Sequence, residues 1–255
     1  MSHKHIFAFY SSELSNIILD KFVGDVVHFK DSILFNRLVR VVKIREDDSF
    51  VLFNNTVHVF VRASGEMFAE KRIIIGVIDS IHGNKILLPE ITLGVGLLRK
   101  EAWDQVVYVA AQMGATRIVP ILSERVQRSW GENKERARMD KVMIAAREQS
   151  KNFSPPKVFD PMPLETFLNE AKMLGNPIKV CFEHGGRHLW DSLYTIQNVK
   201  SRKIFLLFGP EGGFSRKELD ISMQSGFEMC GLTPTVLRSI EAVTVGLGAI
   251  RSCCS

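Results

Sequence analysis

Short apolar segments separated by polar turns dominate the first seventy residues. Four of them are rich in Val, Ile and Phe and have strand length: residues 25–29, 38–44, 49–53 and 57–61. Short strands at this spacing are typical of a small barrel. The pattern weakens over residues 65–71, where we predict the boundary between a first domain, residues 1–70, and a second, residues 71–255.

Beyond that boundary, apolar runs alternate with amphipathic segments. The runs at 72–80, 117–122, 178–182 and 203–208 predict strands, and those at 101–113, 134–150, 163–174, 216–225 and 241–250 predict helices. Gly114, Gly175 and Gly226 each follow a predicted helix, where glycine is the usual C-terminal residue. The alternation predicts an α/β domain with a mainly parallel sheet.

Composition changes this picture little. The 255 residues are 45% hydrophobic and 24% charged, as in ordinary globular proteins. No apolar run approaches the length of a membrane helix, and the N-terminus lacks a signal-peptide pattern, so we expect a soluble, cytoplasmic protein with no membrane partner. The four cysteines lack metal-ligand spacing, so we expect no metal site.

The net charge of +5 favours a polyanionic partner only weakly. Basic residues exceed acidic ones over residues 124–157, which suits either a phosphate-binding face or a solvated helix surface. Arg37, Lys43 and Arg45 occupy odd positions around the predicted strand 38–44, and we expect them on one face. With only three Tyr and three Trp, no aromatic platform for single-stranded RNA is expected.

The sharpest motif is Phe208-Gly-Pro-Glu-Gly-Gly-Phe-Ser215, which lies between a predicted strand and a helix that Ser215 and Glu218 cap. Glycines at the carboxyl end of a strand let a ligand approach the backbone, although a turn with positive φ also explains them. The motif is neither a dinucleotide fingerprint nor a P-loop, and Gly94-Val-Gly96 fails as a fingerprint because Arg99 replaces the third glycine. Nucleophile-elbow and zinc-protease motifs are absent from the sequence.

Five segments together resemble the ribosomal RNA small subunit methyltransferase E family of the SPOUT superfamily. They are residues 208–215, Ser225-Gly-Phe227, residues 232–238, Arg147-Glu-Gln-Ser150 followed by Pro155-Pro156, and Leu38-Val-Arg40. The resemblance covers nearly the whole chain and implies a trefoil-knotted α/β methyltransferase domain after a PUA-like β-barrel. The chain departs from the family pattern at Lys151-Asn152 and at Ile240-Glu241, where the acid moves from position 240 to 241.

The resemblance implies S-adenosyl-L-methionine as cofactor and no metal. The implied cofactor-binding residues are Phe182, Glu183, Phe208, Gly209, Pro210, Gly212, Gly213, Leu232, Val236 and Leu237. Arg238 and Glu211 are the catalytic candidates, the former for stabilising a uridine anion and the latter for accepting a proton or orienting the cofactor. A phosphate or helix-terminus contact of Arg238, and a structural hydrogen bond of Glu211, remain open.

The RNA-binding candidates are Arg37, Arg40 and Lys43 in the barrel and Arg147 and Gln149 on the long helix. The implied reaction is methylation of uridine N3 in 16S rRNA of the small ribosomal subunit. Methylation of another RNA and a non-catalytic role in RNA binding or ribosome assembly are the alternatives. The segment 241–250 is apolar on most sides, which together with the resemblance predicts a homodimer.

Overall fold

The computed structural model describes residues 6–64, 73–126, 128–189, 191–192 and 203–254. The chain divides into two compact units, Met1–Lys85 with Arg147–Ser154, and Ile86–Ala146 with Pro155–Ser255. The segment 65–71, where the sequence places the domain boundary, lies outside the described residues. The first unit thus reaches Lys85 and includes a short segment from much later in the chain.

A five-stranded sheet forms the first unit. Its strands are β1 (Phe7–Tyr10), β2 (Val26–Phe29), β3 (Ser49–Phe53), β4 (Val57–Ala63) and β5 (Ile74–Gly83), and α1 (Leu14–Ile17) and α2 (Ser32–Phe35) are short helices. The order is β1-β3-β4-β5-β2, with β1 and β3 parallel and the other pairs antiparallel. Three predicted strands, 25–29, 49–53 and 57–61, are confirmed.

Two predicted strands are assigned differently by the structure. The predicted strand 72–80 is β5, which pairs with β2 and β4 of the first sheet, so its placement in the second domain is wrong. The predicted strand 38–44 is helical, because α2 continues into a π-helical segment, Asn36–Val42. Leu34 and Leu38 are buried four positions apart, a helical spacing. Arg37, Lys43 and Arg45 therefore do not share one face of a strand.

A parallel sheet of seven strands forms the second unit. The strands are β6 (Ile91–Gly96), β7 (Arg117–Leu122), β8 (Lys157–Val158), β9 (Met162–Pro163), β10 (Ile178–His188), β11 (Ile204–Phe208) and β12 (Glu228–Gly231). The order is β12-β10-β11-β6-β7-β8, and β9 also pairs with β7. The predicted α/β class is confirmed. Strands β6 and β11 are buried along their whole length, as parallel strands covered on both faces are.

All five helices predicted for the second domain are present. They are α3 (Lys100–Gln112), α4 (Glu132–Ser150), α5 (Leu164–Met173), α6 (Arg216–Gln224) and α7 (Ser239–Cys254). The predicted capping box of α6 forms: Ser215 Oγ accepts the Glu218 N–H, and the Glu218 carboxylate accepts the Ser215 N–H. This box sets where the loop after β11 ends and α6 begins.

Candidate active site

One cavity of about 840 Å³ lies in the second unit, where the middle of β10 and the segments following β11 and β12 meet the starts of α3 and α7. All twelve residues that the resemblance assigns to cofactor binding or catalysis line it: Phe182, Glu183, Phe208, Gly209, Pro210, Glu211, Gly212, Gly213, Leu232, Val236, Leu237 and Arg238. Three segments far apart in sequence are therefore brought to one place, at the strand ends where α/β sheets bind ligands.

Two aromatic rings form part of the cavity wall. Phe182 and Phe208 stand on the paired strands β10 and β11, and their rings stack with centroids 4.6 Å apart and an interplanar angle of 21°. Gly246 of α7 faces these rings, and a Cβ at this position would lie 2.9 Å from Phe208 Cζ. The absence of a side chain at Gly246 thus lets α7 approach the stacked pair.

The glycine loop is held by its own backbone and by β6. The Gly213 N–H donates to the Pro210 carbonyl at 2.9 Å, and Gly213 has a φ of +67°, so the turn explanation applies to this glycine. At Gly96, the last residue of β6, a Cβ would lie 2.3 Å from the Pro210 nitrogen. Arg125 donates from Nη1 to the Gly212 carbonyl at 2.8 Å. The loop therefore packs against glycine in the neighbouring strand.

The two catalytic candidates both contact other protein groups. Glu211 Oε1 accepts the Arg99 N–H at 2.8 Å, at the start of α3, which is the structural hydrogen bond that sequence analysis left open. Arg238 has an 85% exposed side chain and forms an ion pair with Glu241, the displaced acid. Position 241 lies three residues after Arg238 in the first turn of α7, so the displaced acid still reaches the arginine.

Glu183 is the partly buried carboxylate in the cavity. Burial raises the pKa of Glu183, and the neighbouring charges of His184 and Arg125 lower it by less. A carboxylate with a raised pKa in a cavity is a feature of functional sites.

Sequence analysis missed the side of the cavity that β6 and α3 supply. Leu98, Arg99, Glu101, Ala102 and Gln105 line the cavity there, and His184, Thr233 and Thr235 complete other walls. The strand β6 was missed because Gly94 and Gly96 were compared only with a nucleotide fingerprint. The run from Ile91 to Leu98 lies directly before a helix and is apolar except for Thr92, and it is the signal that could have revealed the strand.

The RNA-binding candidates lie in the first unit, and one of them is misassigned. Arg147 is 2% exposed and donates to Asn55 Oδ1, the Asn54 carbonyl and the Phe153 carbonyl at 2.9, 2.7 and 2.7 Å. Its expected RNA contact is wrong, because the guanidinium is buried among backbone acceptors.

The other RNA-binding candidates reach the surface to different degrees. Arg37 is half-buried and donates through both terminal nitrogens to Glu148, at 2.7 Å each. Arg40, Lys43 and Gln149 are exposed, and their RNA contacts stay predictions.

Two expected absences can be examined only over the described residues. Within those ranges, no group of three or more His, Cys, Asp or Glu side chains could hold a metal ion. Among the helices described, none is long and apolar enough to cross a membrane.

The second unit has a parallel sheet, a glycine loop and a ligand-sized cavity at the strand ends. Together with the family match that follows, these features define an α/β methyltransferase domain. The family described as RNA methyltransferase domain matches residues 86–251. The chain belongs to this family of RNA methyltransferases.

Two relatives agree with this assignment. The Ribosomal RNA small subunit methyltransferase E of Aquifex aeolicus is 27% identical over 92% of this chain and 94% of its own length. The protein of the same name from Synechocystis is 24% identical over 84% of this chain and 69% of its own length. These relatives confirm the resemblance stated from the sequence.

The fold itself matches solved structures over almost the whole chain. A Ribosomal RNA small subunit methyltransferase E from Neisseria gonorrhoeae, bound to S-adenosyl methionine, superposes with a TM-score of 0.74 at 24% identity, covering 97% of this chain and 98% of that one. A methyltransferase from Legionella pneumophila gives a TM-score of 0.72 at 20% identity, covering 98% of each chain. At these identities the match concerns the fold.

Proposed function

We propose that this protein transfers the methyl group of S-adenosyl-L-methionine to N3 of a uridine in the 16S rRNA of the small ribosomal subunit. The observation that carries the proposal is the single cavity into which the three predicted segments converge, in a chain of the RNA methyltransferase domain family. The names of the relatives supply the substrate class, rRNA of the small subunit. On this proposal the protein acts in the cytoplasm, where its ribosomal substrate is.

The residues around the cavity fit S-adenosyl-L-methionine. A volume of about 840 Å³ lies within the range of small-molecule sites. Leu232 and Leu237 offer apolar surface for the flat adenine, and the carboxylates of Glu183 and Glu211 suit a ligand that carries two cationic groups. A Cβ at Gly213 would meet no atom within 4 Å, so the backbone of the glycine loop is open to a ligand there.

When bound, S-adenosyl-L-methionine supplies a methyl group on a sulfonium leaving group. Uridine N3 carries a proton that must leave before or during methyl transfer, so the enzyme must accept a proton and stabilise a uridine anion. We assign the second task to Arg238, whose exposed guanidinium lines the cavity. Glu211 Oε1 accepts the Arg99 backbone N–H. We propose that Glu211 Oε2 either orients the cofactor ammonium or accepts the uridine proton.

The finer features of the fold belong to the same proposal. The second unit is a trefoil-knotted SPOUT domain and the first a PUA-like β-barrel, as the family motifs imply. The five short strands of the first sheet support the barrel assignment. Arg37, Arg40, Lys43 and Gln149 then contact the RNA backbone, and Arg37 does so while paired with Glu148.

A homodimer belongs to the same proposal. Val243, Leu247 and Ile250 of α7 are buried within the second unit, which explains much of the apolar character of this helix. Val245 stays 43% exposed. A mainly apolar groove of about 350 Å³ lies nearby, lined by Asp104, Gln105, Tyr108, Val109, Val142 and Ile240. Light scattering at micromolar concentration that returns the monomer mass for the active protein would exclude a required dimer.

The function is tested by the product and by cofactor binding. Mass spectrometry of 16S rRNA from cells lacking the protein should show loss of one N3-methyluridine, restored by the wild-type gene. Calorimetry should detect S-adenosyl-L-methionine binding to the wild-type protein. Gly96→Val should abolish that binding, because its Cβ would collide with the Pro210 nitrogen at 2.3 Å, whereas Gly83→Val, with no atom within 4 Å, should bind as the wild type does.

Each result discriminates among the alternatives. An intact N3-methyluridine with a loss of another methylated nucleotide would assign the protein to a different RNA target. Folded wild-type protein that binds rRNA but not S-adenosyl-L-methionine would assign it to the non-catalytic class.

A further inference from the structure

The outer face of the first sheet carries a row of aromatic rings that sequence analysis did not expect. His58 of β4 lies opposite His82 of β5, and their rings stack with centroids 5.2 Å apart and an interplanar angle of 27°. The ring of Phe153 also contacts His58, with centroids 4.7 Å apart and an interplanar angle of 38°. Phe60 packs its edge against both histidines, at 6.1 and 6.0 Å. We call Phe153, His58, His82 and Phe60 the ring row.

Strand alternation explains why these rings share a face. Val59 and Val61 of β4 point into the core and are fully buried, so His58 and Phe60 point the other way. Phe153 belongs to the segment Arg147–Ser154, which is part of the first unit. Its ring also packs on the Phe53 ring, with centroids 4.7 Å apart. The row therefore starts in a packed cluster and ends at the sheet surface.

The last ring of the row, His82, is exposed. Among the described aromatic side chains, only His58 and Phe60 contact it. His82 thus combines ring contacts to His58 and Phe60 with exposed surface that a ligand can reach.

Hydrogen bonds hold the two histidine rings in place. Asn84 Oδ1 lies 2.9 Å from His58 Nδ1, which must be the donor because an amide oxygen only accepts. Asn84 itself donates to the carbonyls of Asn54 and Phe153 at 3.0 and 3.1 Å. His82 Nε2 lies 3.0 Å from Ser80 Oγ. The rings are therefore oriented before any ligand arrives, which lowers the entropy that binding must overcome.

We propose that the ring row is a stacking site for one unpaired base of the RNA substrate, with the base extending the stack beyond His82. This inference rests on the proposed function for the class of partner. Proteins recognise single-stranded RNA by stacking splayed bases on Phe, Tyr, Trp or His rings, often on the face of a sheet. The polar edges of the histidine rings also suit a base, which is apolar on its faces and polar at its edge.

Near the ring row, the exposed cation Lys85 favours an anionic partner, such as a nucleic acid, over a neutral or basic one. Lys85 is exposed and follows Asn84 directly, so it can hold a flanking phosphate. Arg62, an exposed cation on β4, is paired with Asp47 and Asp79 and is locally neutralised. Stacking, rather than charge, is therefore the main attraction at this site.

The test uses the full-length protein and a short single-stranded RNA in which one base at a time is replaced by fluorescent 2-aminopurine. At one position, wild-type protein should quench the fluorescence, because the base stacks. His82→Ala should remove that quenching and weaken binding about 5- to 150-fold, the loss expected for one base–aromatic stack. His82→Phe should retain both the quenching and the RNA affinity, because phenylalanine keeps a planar ring at this position.

His28 provides the matched control. It is an exposed histidine on β2 of the same sheet, without a described ring contact, and His28→Ala should bind RNA as the wild type does. Thermal unfolding of every variant verifies that the first unit is intact. Phe60→Ala, which removes the edge packing on both histidines, should weaken binding in the same direction as His82→Ala.

Three outcomes would overturn the stacking site. One is wild-type affinity and quenching in His82→Ala. Another is His82→Phe binding as weakly as His82→Ala, which would assign the effect to a polar contact. The third is unchanged RNA affinity with weaker binding of His82→Ala to RNA-free ribosomal proteins, which would assign the face to a protein partner.

Failure of the proposed function is separable from failure of the stacking site. If the wild-type protein methylates no small-subunit rRNA but loses RNA affinity on His82→Ala, the enzyme assignment fails and the stacking site stands. If methylation by the wild type is normal and His82→Ala changes neither affinity nor quenching, the stacking site alone fails.

Discussion

Phe182 and Phe208, from two strands that pair in parallel, stack their rings at 4.6 Å beneath a helix that has glycine at the point of contact. Both rings belong to the cavity wall and to the core of the second unit. Packing of α7 on the sheet and the shape of the proposed cofactor site therefore depend on the same contact.

Adding a single methyl group at this contact should impair the site. In Gly246→Ala the new Cβ would lie 2.9 Å from Phe208 Cζ and 3.1 Å from Phe182 Cε2, so one or both rings must shift. We expect a loss of about 1–3 kcal/mol in the free energy of unfolding from overpacking. We also expect at least tenfold weaker binding of S-adenosyl-L-methionine, measured by calorimetry.

Gly248→Ala is the control, two residues further along α7. Its Cβ would meet only Met113, at an ordinary 3.7 Å, so the gain in helix propensity of up to about 1 kcal/mol should dominate. Equal effects of the two substitutions on cofactor affinity would contradict the importance of the ring contact.

Arg238→Ala should lower turnover far more than cofactor affinity. If the guanidinium stabilises the uridine anion, its loss should slow single-turnover methylation about a hundredfold or more. Arg216→Ala is matched to it, because Arg216 is 83% exposed and forms a similar local ion pair, with Asp220 on α6. Methylation by Arg238→Ala within a few-fold of the Arg216→Ala rate would refute the assignment.

Arg147→Ala should destabilise the first unit. The substitution removes a charged donor from the buried Asn54 and Phe153 carbonyls, which then keep only Asn84 as a donor among the described residues, and it removes the guanidinium that packs on the Phe53 ring, at a cost of about 1–3 kcal/mol. Burial lowers the pKa of Arg147 to about 10, which still leaves the guanidinium charged near pH 7. Arg40→Ala, at an exposed position, should leave the unfolding temperature unchanged and weaken RNA binding instead. The reverse pattern in thermal unfolding and RNA titration would restore Arg147 as an RNA ligand.

Glu183→Gln should stabilise the ligand-free protein at neutral pH. Burial raises the folded-state pKa of Glu183 above its unfolded value, so the folded protein binds more protons between the two pKa values. Its unfolding free energy therefore falls as pH rises through that window and stays lowered above it. The glutamine variant has no charge to desolvate and therefore does not lose this stability at neutral pH. Because Glu183 is partly exposed to solvent, the difference in unfolding free energy is about 1 kcal/mol or less.

Thermal unfolding of the two proteins as a function of pH checks this sign. The variant should melt higher at pH 7, and the difference should vanish below the ordinary Glu pKa of about 4.3. Glu46→Gln, at an exposed position, serves as the comparison. A glutamine variant that is less stable at pH 7 would show that the ionised carboxylate is held by favourable contacts.

The parts of the fold that could be predicted are those that depend on residues close together in the sequence. The strands Ser49–Phe53 and Arg117–Leu122 were predicted with their exact first and last residues. The capping residues Ser215 and Glu218 correctly indicated where α6 begins. The glycine loop could be located for the same reason, since its signal lies within eight consecutive residues.

The parts that could not be predicted depend on tertiary contacts. The apolar segment 38–44 fits a strand or a helix in isolation, and the burial of Leu34 and Leu38 against the first sheet decides for the helix. Arg147 looks like a surface cation until the Asn54 and Phe153 carbonyls are placed around it. The ring row was missed because cross-strand register, not composition, puts His58 beside His82.

The late segment Arg147–Ser154 has a consequence for the order of events during synthesis. The first unit cannot be completed when its own sheet has been translated, because the guanidinium that ties down the Asn54–Asn55 turn and the ring that covers Phe53 arrive with residues 147 and 153. A nascent chain stalled after Lys85 should expose Phe53 and His58 to protease and to chaperones. Release of residues 147–154 from the ribosome should then close that face, so the N-terminal unit matures only after more than half of the protein has been made.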